Sequence, residues 1–441
     1  MIEKYLVKKI TEPVDWKVTV PGSKSMTNRA LLMAVLSAGT VRVEGVLFSD
    51  DSRHFLACLV ALGFTVEIEE EKKCVTVTGC GGRIPRGEAV IDVGSAGTAA
   101  RFLAAMLGFS DGCYEIRCSA QMKRRPMAEL FDLLSGAGAK ITFLEEEGHL
   151  PVRITGCRYA RADKTAGETP RELSLDITKS TQFLSALLLI APMVPEGMKI
   201  HITSEKTDGS YIRITRKMMQ EFGVSVAFDG RDYEVPCRSS YRKETYMVEP
   251  DMSAACYFYA AAAVTGGRAL VRHVHMDNTQ GDLRFLEVLE RMGCKADDTP
   301  EGVRVTGPAD GALRGITVNM NDFSDQALTL AAIAPFADAP VRIEGIGHIR
   351  GQECDRIHAI QTNLTALGIR CEEEETAATI YPGSPHGGNV ETYDDHRVAM
   401  AFSLIGLRTD GIVIENPACC RKTFEDYFTV LSELTGKKTE A

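Results

Sequence analysis

No Cys-x-x-Cys pair occurs in this chain, and none of its 13 cysteines has a His partner at metal-finger spacing, which excludes a zinc module and a disulfide framework. His273 and His275 alternate as a metal pair could, but a third ligand is missing and they read as a surface strand. Excess positive charge is lacking too. Lys and Arg number 50 against 60 Asp and Glu, a formal net charge of −10, which excludes a general nucleic-acid or anionic-membrane surface. An anionic ligand must therefore meet a local basic cluster. Long apolar runs are also missing: the opening segment carries Glu3, Lys4, Lys8 and Lys9 and has no stretch fit for a signal peptide or a membrane span. The expectation is a cytoplasmic protein without membrane or nucleic-acid partners. The runs Glu69–Glu71, Glu145–Glu147 and Glu372–Glu375 read as solvated loop faces.

What is present is an ordinary globular composition, 44% hydrophobic and 25% charged over 441 residues, enough for two or three domains. One pattern recurs six times, from near Thr19, Ile91, Leu175, Val248, Val318 and Val390, at roughly 70 to 85 residues per copy. A short apolar strand ends in a polar, capping cluster and an Ala/Leu-rich helix follows, as in SKSMTNRALLMAVLSAG and DHRVAMAFSLIG. A second strand and a second helix come next, the helix ending at a glycine such as Gly63, Gly223, Gly293 or Gly368. Two alternating segments then read as a hairpin with one buried face. The sixth copy runs out of chain before its hairpin, while YLVKKI and WKVTV at the N-terminus are unassigned, so the N-terminus is expected to complete the last unit. Residues 22–249 then form one lobe of three repeats, and residues 1–21 with 250–441 the other, with crossings at Pro21-Gly22 and Glu249-Pro250. First helices this apolar are expected inside the lobes, with the sheets outside.

Polar residues cluster where the helices begin, and there unpaired N–H groups and the macrodipole attract anions. Ser, Thr and Asp at such places are ordinary caps. Cations are not: Lys24, Arg125, Arg356, Arg397 and Lys422 are predicted at helix starts, where positive charge opposes the dipole unless an anion offsets it. Arg forks suit carboxylates and phosphates, and Lys acts as a point charge, so the set fits a ligand carrying both groups. Asp325 and Glu353 are the acids among them, available to accept or donate a proton.

PGSKSMTNRALLMA from Pro21, GSAGTAARF from Gly94, MKRRPM from Met122, STQFLSALLL from Ser180, DHRVAMAF from Asp395 and RKTFEDYF from Arg421 span nearly the whole chain. In order and spacing they resemble the 5-enolpyruvylshikimate-3-phosphate synthase (3-phosphoshikimate 1-carboxyvinyltransferase) family. The resemblance implies a two-lobed inside-out α/β barrel of six βαβαββ repeats, three per lobe, with the active site in the interlobe cleft of a monomer. It implies transfer of the carboxyvinyl group of phosphoenolpyruvate to the 5-hydroxyl of 3-phosphoshikimate, with release of phosphate, on the route to chorismate and the aromatic amino acids. No metal or organic cofactor is implied. Lys24, Ser95, Gly97, Arg125, Gln182, Arg356, Arg397 and Lys422 are the implied phosphoenolpyruvate contacts. Lys24, Ser25, Arg29, Ser180, Thr181, Gln182, Asp325, His348 and Gln352 are those for 3-phosphoshikimate. Asp325 is expected to take the hydroxyl proton, and Glu353, assisted by Lys24, to protonate C3.

Three residues depart from the family pattern. Ser95 stands for the usual Asn, Gln352 for a Lys, and Asp208 for a Ser that would face the substrate phosphate. Weaker or rearranged acceptor contacts are expected there. The related family acting on UDP-N-acetylglucosamine fits less well: it has Lys-Asn where this chain has Lys24-Ser25, and a reactive Cys where Ala120 stands. A non-catalytic binding protein on the same repeats is the remaining reading. Retention of both acids and all five cations opposes it.

Overall fold

Helices whose apolar residues run all the way round can only be stable when enclosed, and the first helices of the repeats are enclosed. Every residue of Gly97–Gly108 is buried, as is His396–Arg408 apart from Arg408 itself. The computed structural model describes residues 3–157, 170–309 and 312–436. It has two compact units, Gly22–Glu249 (the inserted unit) and Met1–Pro21 with Pro250–Ala441 (the split unit). Each has a hydrophobic core of its own.

In the inserted unit, Lys24–Leu36, Gly97–Gly108 and Thr181–Ile190 pack on one another at the centre. Met252–Thr265, Ala327–Ile333 and His396–Arg408 do the same in the split unit. Each fully buried Leu or Phe on these helices contributes about 1.5–3 kcal/mol relative to exposure. Six small sheets lie against them. Five have four strands, a parallel pair followed by the antiparallel hairpin, and in three of the five the parallel pair is joined through the first helix. Glu88–Asp92, for example, runs parallel to Cys113–Arg117, which pairs antiparallel with Val152–Thr155 and so with Lys140–Phe143. The glycines predicted to end the second helices, Gly63, Gly223, Gly293 and Gly368, all adopt the left-handed backbone that a helix C-terminus uses. Among the described residues no helix is long and apolar enough to cross a membrane.

The repeat boundaries need one correction. The strand Asp15–Val18, counted with the first or the last copy, pairs in parallel with Arg268–Arg272 and so belongs to the fourth sheet. The matching place in the first sheet, beside Thr40–Glu44, is filled by Thr245–Met247. The chain passes from one unit to the other between a strand and its helix, so each strand stays in the unit it came from. Only Lys4–Leu6 completes the sixth sheet, antiparallel to Ile412–Glu415. Backbone bonds fasten both passages: Ser23 N–H donates to Glu249 O at 2.8 Å, and Asp251 N–H to Pro21 O at 2.8 Å.

Candidate active site

In the inserted unit the polar residues gather where the three central helices begin. Lys24 is the first residue of its helix, and its ammonium lies 3.3 Å from the buried carboxylate of Asp51. The Ser25 hydroxyl is 3.4 Å from that of Ser23. One turn further on, Arg29 is fully buried. Its Nε donates to Thr215 at 2.8 Å, one amino group donates to Ser25 O at 2.9 Å, and its plane faces the rings of Phe102 and Tyr211. Burial pulls the Arg29 pKa down to about 10. No carboxylate bonds this guanidinium among the described residues.

Ser95 stands half-buried in the turn before Gly97. Gly97 is where two guanidiniums pass: a methyl group placed on it would come 2.7 Å from Arg125 Cζ and 2.8 Å from an Arg101 amino nitrogen. Arg101 donates to Gln182 Oε1 at 2.8 Å, so Gly97, Arg101, Arg125 and Gln182 form one group. Ser180 caps the third helix, its hydroxyl accepting from Gln182 N–H at 3.2 Å. Thr181 and Lys206 both approach Gly209: a Cβ there would lie 3.5 Å from Thr181 Cγ2 and 3.9 Å from Lys206 Nζ. Asp208 accepts from Arg213 at 2.9 Å and from the Tyr233 hydroxyl at 3.2 Å, which draws its charge into a local ion pair.

In the split unit the predicted residues converge on one buried guanidinium. Arg356, the first residue of Arg356–Ala366, donates to Asp325 Oδ1 at 3.0 Å, Glu353 Oε2 at 2.9 Å, Asp395 Oδ2 at 2.8 Å and Gln352 Oε1 at 2.6 Å. Burial alone would lower its proton affinity, but Asp395, Glu353 and Asp325 together hold it above the ordinary arginine range. Asp325 also accepts from Arg397 at 2.9 Å, and Lys422 stands 3.5 Å from Glu353. The result is an alternating set of three cations and three carboxylates. His348 reaches Ser324, the neighbour of Asp325, at 2.8 Å. Among the described residues no group of three or more His, Cys, Asp or Glu is placed to hold a metal ion.

Two of the five cations are not at helix starts. Arg125 follows the short helix Ala120–Lys123 and precedes Pro126, which disfavours helical backbone at the residue before it. Lys422 ends the 3-10 turn Pro417–Lys422, where a cation suits the carbonyl end. Sequence reasoning missed Arg101, Asp51, Lys206 and Asp395. A charged residue one turn into the apolar helix GTAARFLAAMLG was the available signal for Arg101. Asp51 and Asp395 lie at helix starts, where an Asp reads as a cap, and Asp395 is also one: it accepts from Arg397 N–H at 2.9 Å.

The packing at Gly97 carries a prediction. Gly97→Ala forces Arg125 and Arg101 to move, and overpacking of this kind typically costs about 1–3 kcal/mol, felt here by whatever the two guanidiniums bind. Steady-state kinetics should show KM for the anionic substrate held there rising about tenfold, with the melting temperature lowered by roughly a few degrees. Unchanged KM would detach this group from binding.

Comparison with known proteins gives a consistent set of relatives. The model of the family described as EPSP synthase (3-phosphoshikimate 1-carboxyvinyltransferase) matches residues 8–431. A protein of Trichormus variabilis named 3-phosphoshikimate 1-carboxyvinyltransferase is 41% identical over 429 residues, 97% of this chain and 98% of its own. One of the same name from Yersinia pseudotuberculosis is 38% identical, covering 96% of each chain. Among solved structures, the EPSP synthase from Acinetobacter baumannii superposes with a TM-score of 0.78 at 25% identity, over 98% of this chain and 97% of the other. The enolpyruvyl transferase NikO from Streptomyces tendae, at 17% identity and a TM-score of 0.72 over 98% of this chain and 97% of its own, shares the fold.

Proposed function

The chain belongs to the EPSP synthase (3-phosphoshikimate 1-carboxyvinyltransferase) family, and from that premise we propose that it transfers the carboxyvinyl group of phosphoenolpyruvate to the 5-hydroxyl of 3-phosphoshikimate, releasing phosphate. The observation that carries this reading is Asp325, held between Arg356 and Arg397 with Glu353 bridging Arg356 and Lys422. Arg356 spends all five of its N–H groups on Asp325, Gln352, Glu353 and Asp395, so it meets a substrate anion only by exchanging one of these partners, and the two acids supply the proton transfers. Asp325 takes the hydroxyl proton as the oxygen attacks C2 of phosphoenolpyruvate. C3 gains a proton from Glu353, with Lys24 assisting. Loss of that C3 proton then expels phosphate and regenerates the double bond.

The remaining predicted residues divide by chemistry. Lys24, Ser95, Gly97, Arg125, Gln182, Arg356, Arg397 and Lys422 hold phosphoenolpyruvate, and Arg101 joins them through its bond to Gln182. Lys24, Ser25, Arg29, Ser180, Thr181, Gln182, Asp325, His348 and Gln352 hold 3-phosphoshikimate. Arg29, without a carboxylate partner, gains its counter-charge from the substrate. The start of the helix Thr181–Ile190, with Lys206 beside it, takes the phosphate, while Arg213 diverts Asp208. Gln352 accepts a bond from Arg356 instead of adding a cation. The enzyme acts as a cytoplasmic monomer without metal.

The test is phosphate release on mixing the native protein with 3-phosphoshikimate and phosphoenolpyruvate. Release that needs both substrates and survives exhaustive chelation is expected. Folded protein that releases none with 3-phosphoshikimate, but does so with UDP-N-acetylglucosamine, would overturn the acceptor assignment.

A further inference from the structure

Asp282 has no part in the chemistry above, yet its carboxyl group is buried beside Asp325. It lies in the turn Gly281–Arg284, is only 6% exposed, and accepts from Gln326 Nε2 at 2.9 Å and from the Ser253 hydroxyl. Gln326 is the residue after Asp325 in the turn Ser324–Gln326. Its amide is fully buried and cannot rotate freely, since its Oε1 accepts from Thr329 at 2.9 Å. The carboxyl group of Asp282 thereby anchors the turn that presents Asp325. The charges that act on it are Asp325, which repels it, and Arg397, which favours its ionised form; the Cys256 thiol donates to its backbone carbonyl and has its own pKa raised by burial and by the Asp282 charge.

We propose that Asp282 is a positioning residue for the transfer reaction: it fixes the turn carrying Asp325, and its negative charge raises the affinity of Asp325 for the substrate proton. The inference rests on the functional reading above. Like charges close together raise one another's proton affinity, so the two carboxylates titrate as a pair. Burial, followed by repulsion from Asp325, pushes the Asp282 pKa up to about 6. Above that pH Asp282 is charged and Asp325 is the stronger base. Below it Asp282 is neutral and the base weakens, which places an acidic limb on the rate profile.

Asp282→Asn tests this because the amide keeps an acceptor for Gln326 while losing the charge. In the native enzyme kcat should fall on the acidic side with an inflection near pH 6. In the variant the inflection should vanish and kcat at neutral pH should drop about three- to tenfold, with both KM values held within about twofold. Ser253→Ala provides a second arm. Losing a donor to the ionised carboxylate should move the inflection to higher pH. Profiles of both variants that superimpose on the native one in an active enzyme overturn the proposal. The same titration should appear in substrate-free protein as an infrared carboxyl difference signal that Asp282→Asn abolishes. A native protein that shows this signal but releases no phosphate sinks the functional reading and not the placement of Asp282.

Discussion

Asp325→Ala is expected to lower kcat by about 10²–10⁴-fold while both substrates still bind, the usual range for losing a general base. The carboxylate bonds two of the predicted arginines at once, Arg356 at 3.0 Å and Arg397 at 2.9 Å. Its removal has two effects that must be separated. One is chemical: the attacking hydroxyl has no acceptor for its proton. The other is electrostatic, since two guanidiniums lose a shared partner and hold substrate anions more tightly. KM for phosphoenolpyruvate should therefore stay level or fall while kcat collapses, a split that simple misfolding does not produce. Single-turnover measurements with both substrates saturating give the check. Near-normal turnover there would remove Asp325 from the role of base.

The second large effect is on stability. Arg356→Ala should destabilise the split unit by about 3–5 kcal/mol, because it strands buried carboxylates that share one counter-ion. Asp395 is fully buried and Glu353 nearly so, and neither can turn to water without moving the cluster. For a unit of this size the melting temperature should fall on the order of 10 °C. A deficit below about 1 kcal/mol would mean that the buried carboxylates do not depend on Arg356 as their counter-ion.

The sequence pattern was a good guide to the elements because each repeat carries two periodicities, apolar throughout in its first helix and alternating in its hairpin, and both come from burial. It was a poor guide to which sheet takes Asp15–Val18. Strand and helix look alike in every copy, and the passage between units falls in the short link between them. For the site, the cations were legible because a positive charge near a helix start is unusual, and the motifs around Lys24, Arg356 and Arg397 made it visible. Their partners were not. Asp51 and Asp395 occupy places where an acid needs no ligand to explain it, and Asp282 gains its significance only from Gln326, 44 residues away. At Arg125 and Lys422 the local reason was wrong, since neither stands at a helix start and tertiary packing places them. At Asp208 the expected repulsion of phosphate is tempered by Arg213 and Tyr233, neither of which stands out in the chain.

The exchange of strands at the unit boundary sets an order of events on the ribosome. All three sheets of Gly22–Glu249 draw only on strands from within that stretch, the last to emerge being Thr245–Met247. The inserted unit can thus close as soon as that strand appears. The strands that precede this unit in the chain have no such partner at hand. Asp15–Val18 must wait for Arg268–Arg272, and Lys4, whose ammonium meets Glu415 at 2.7 Å, must wait across 411 residues. Through most of translation the N-terminal arm is an unpaired edge, exposed to chaperones and to other nascent chains, and the half of the protein begun first is the half completed last.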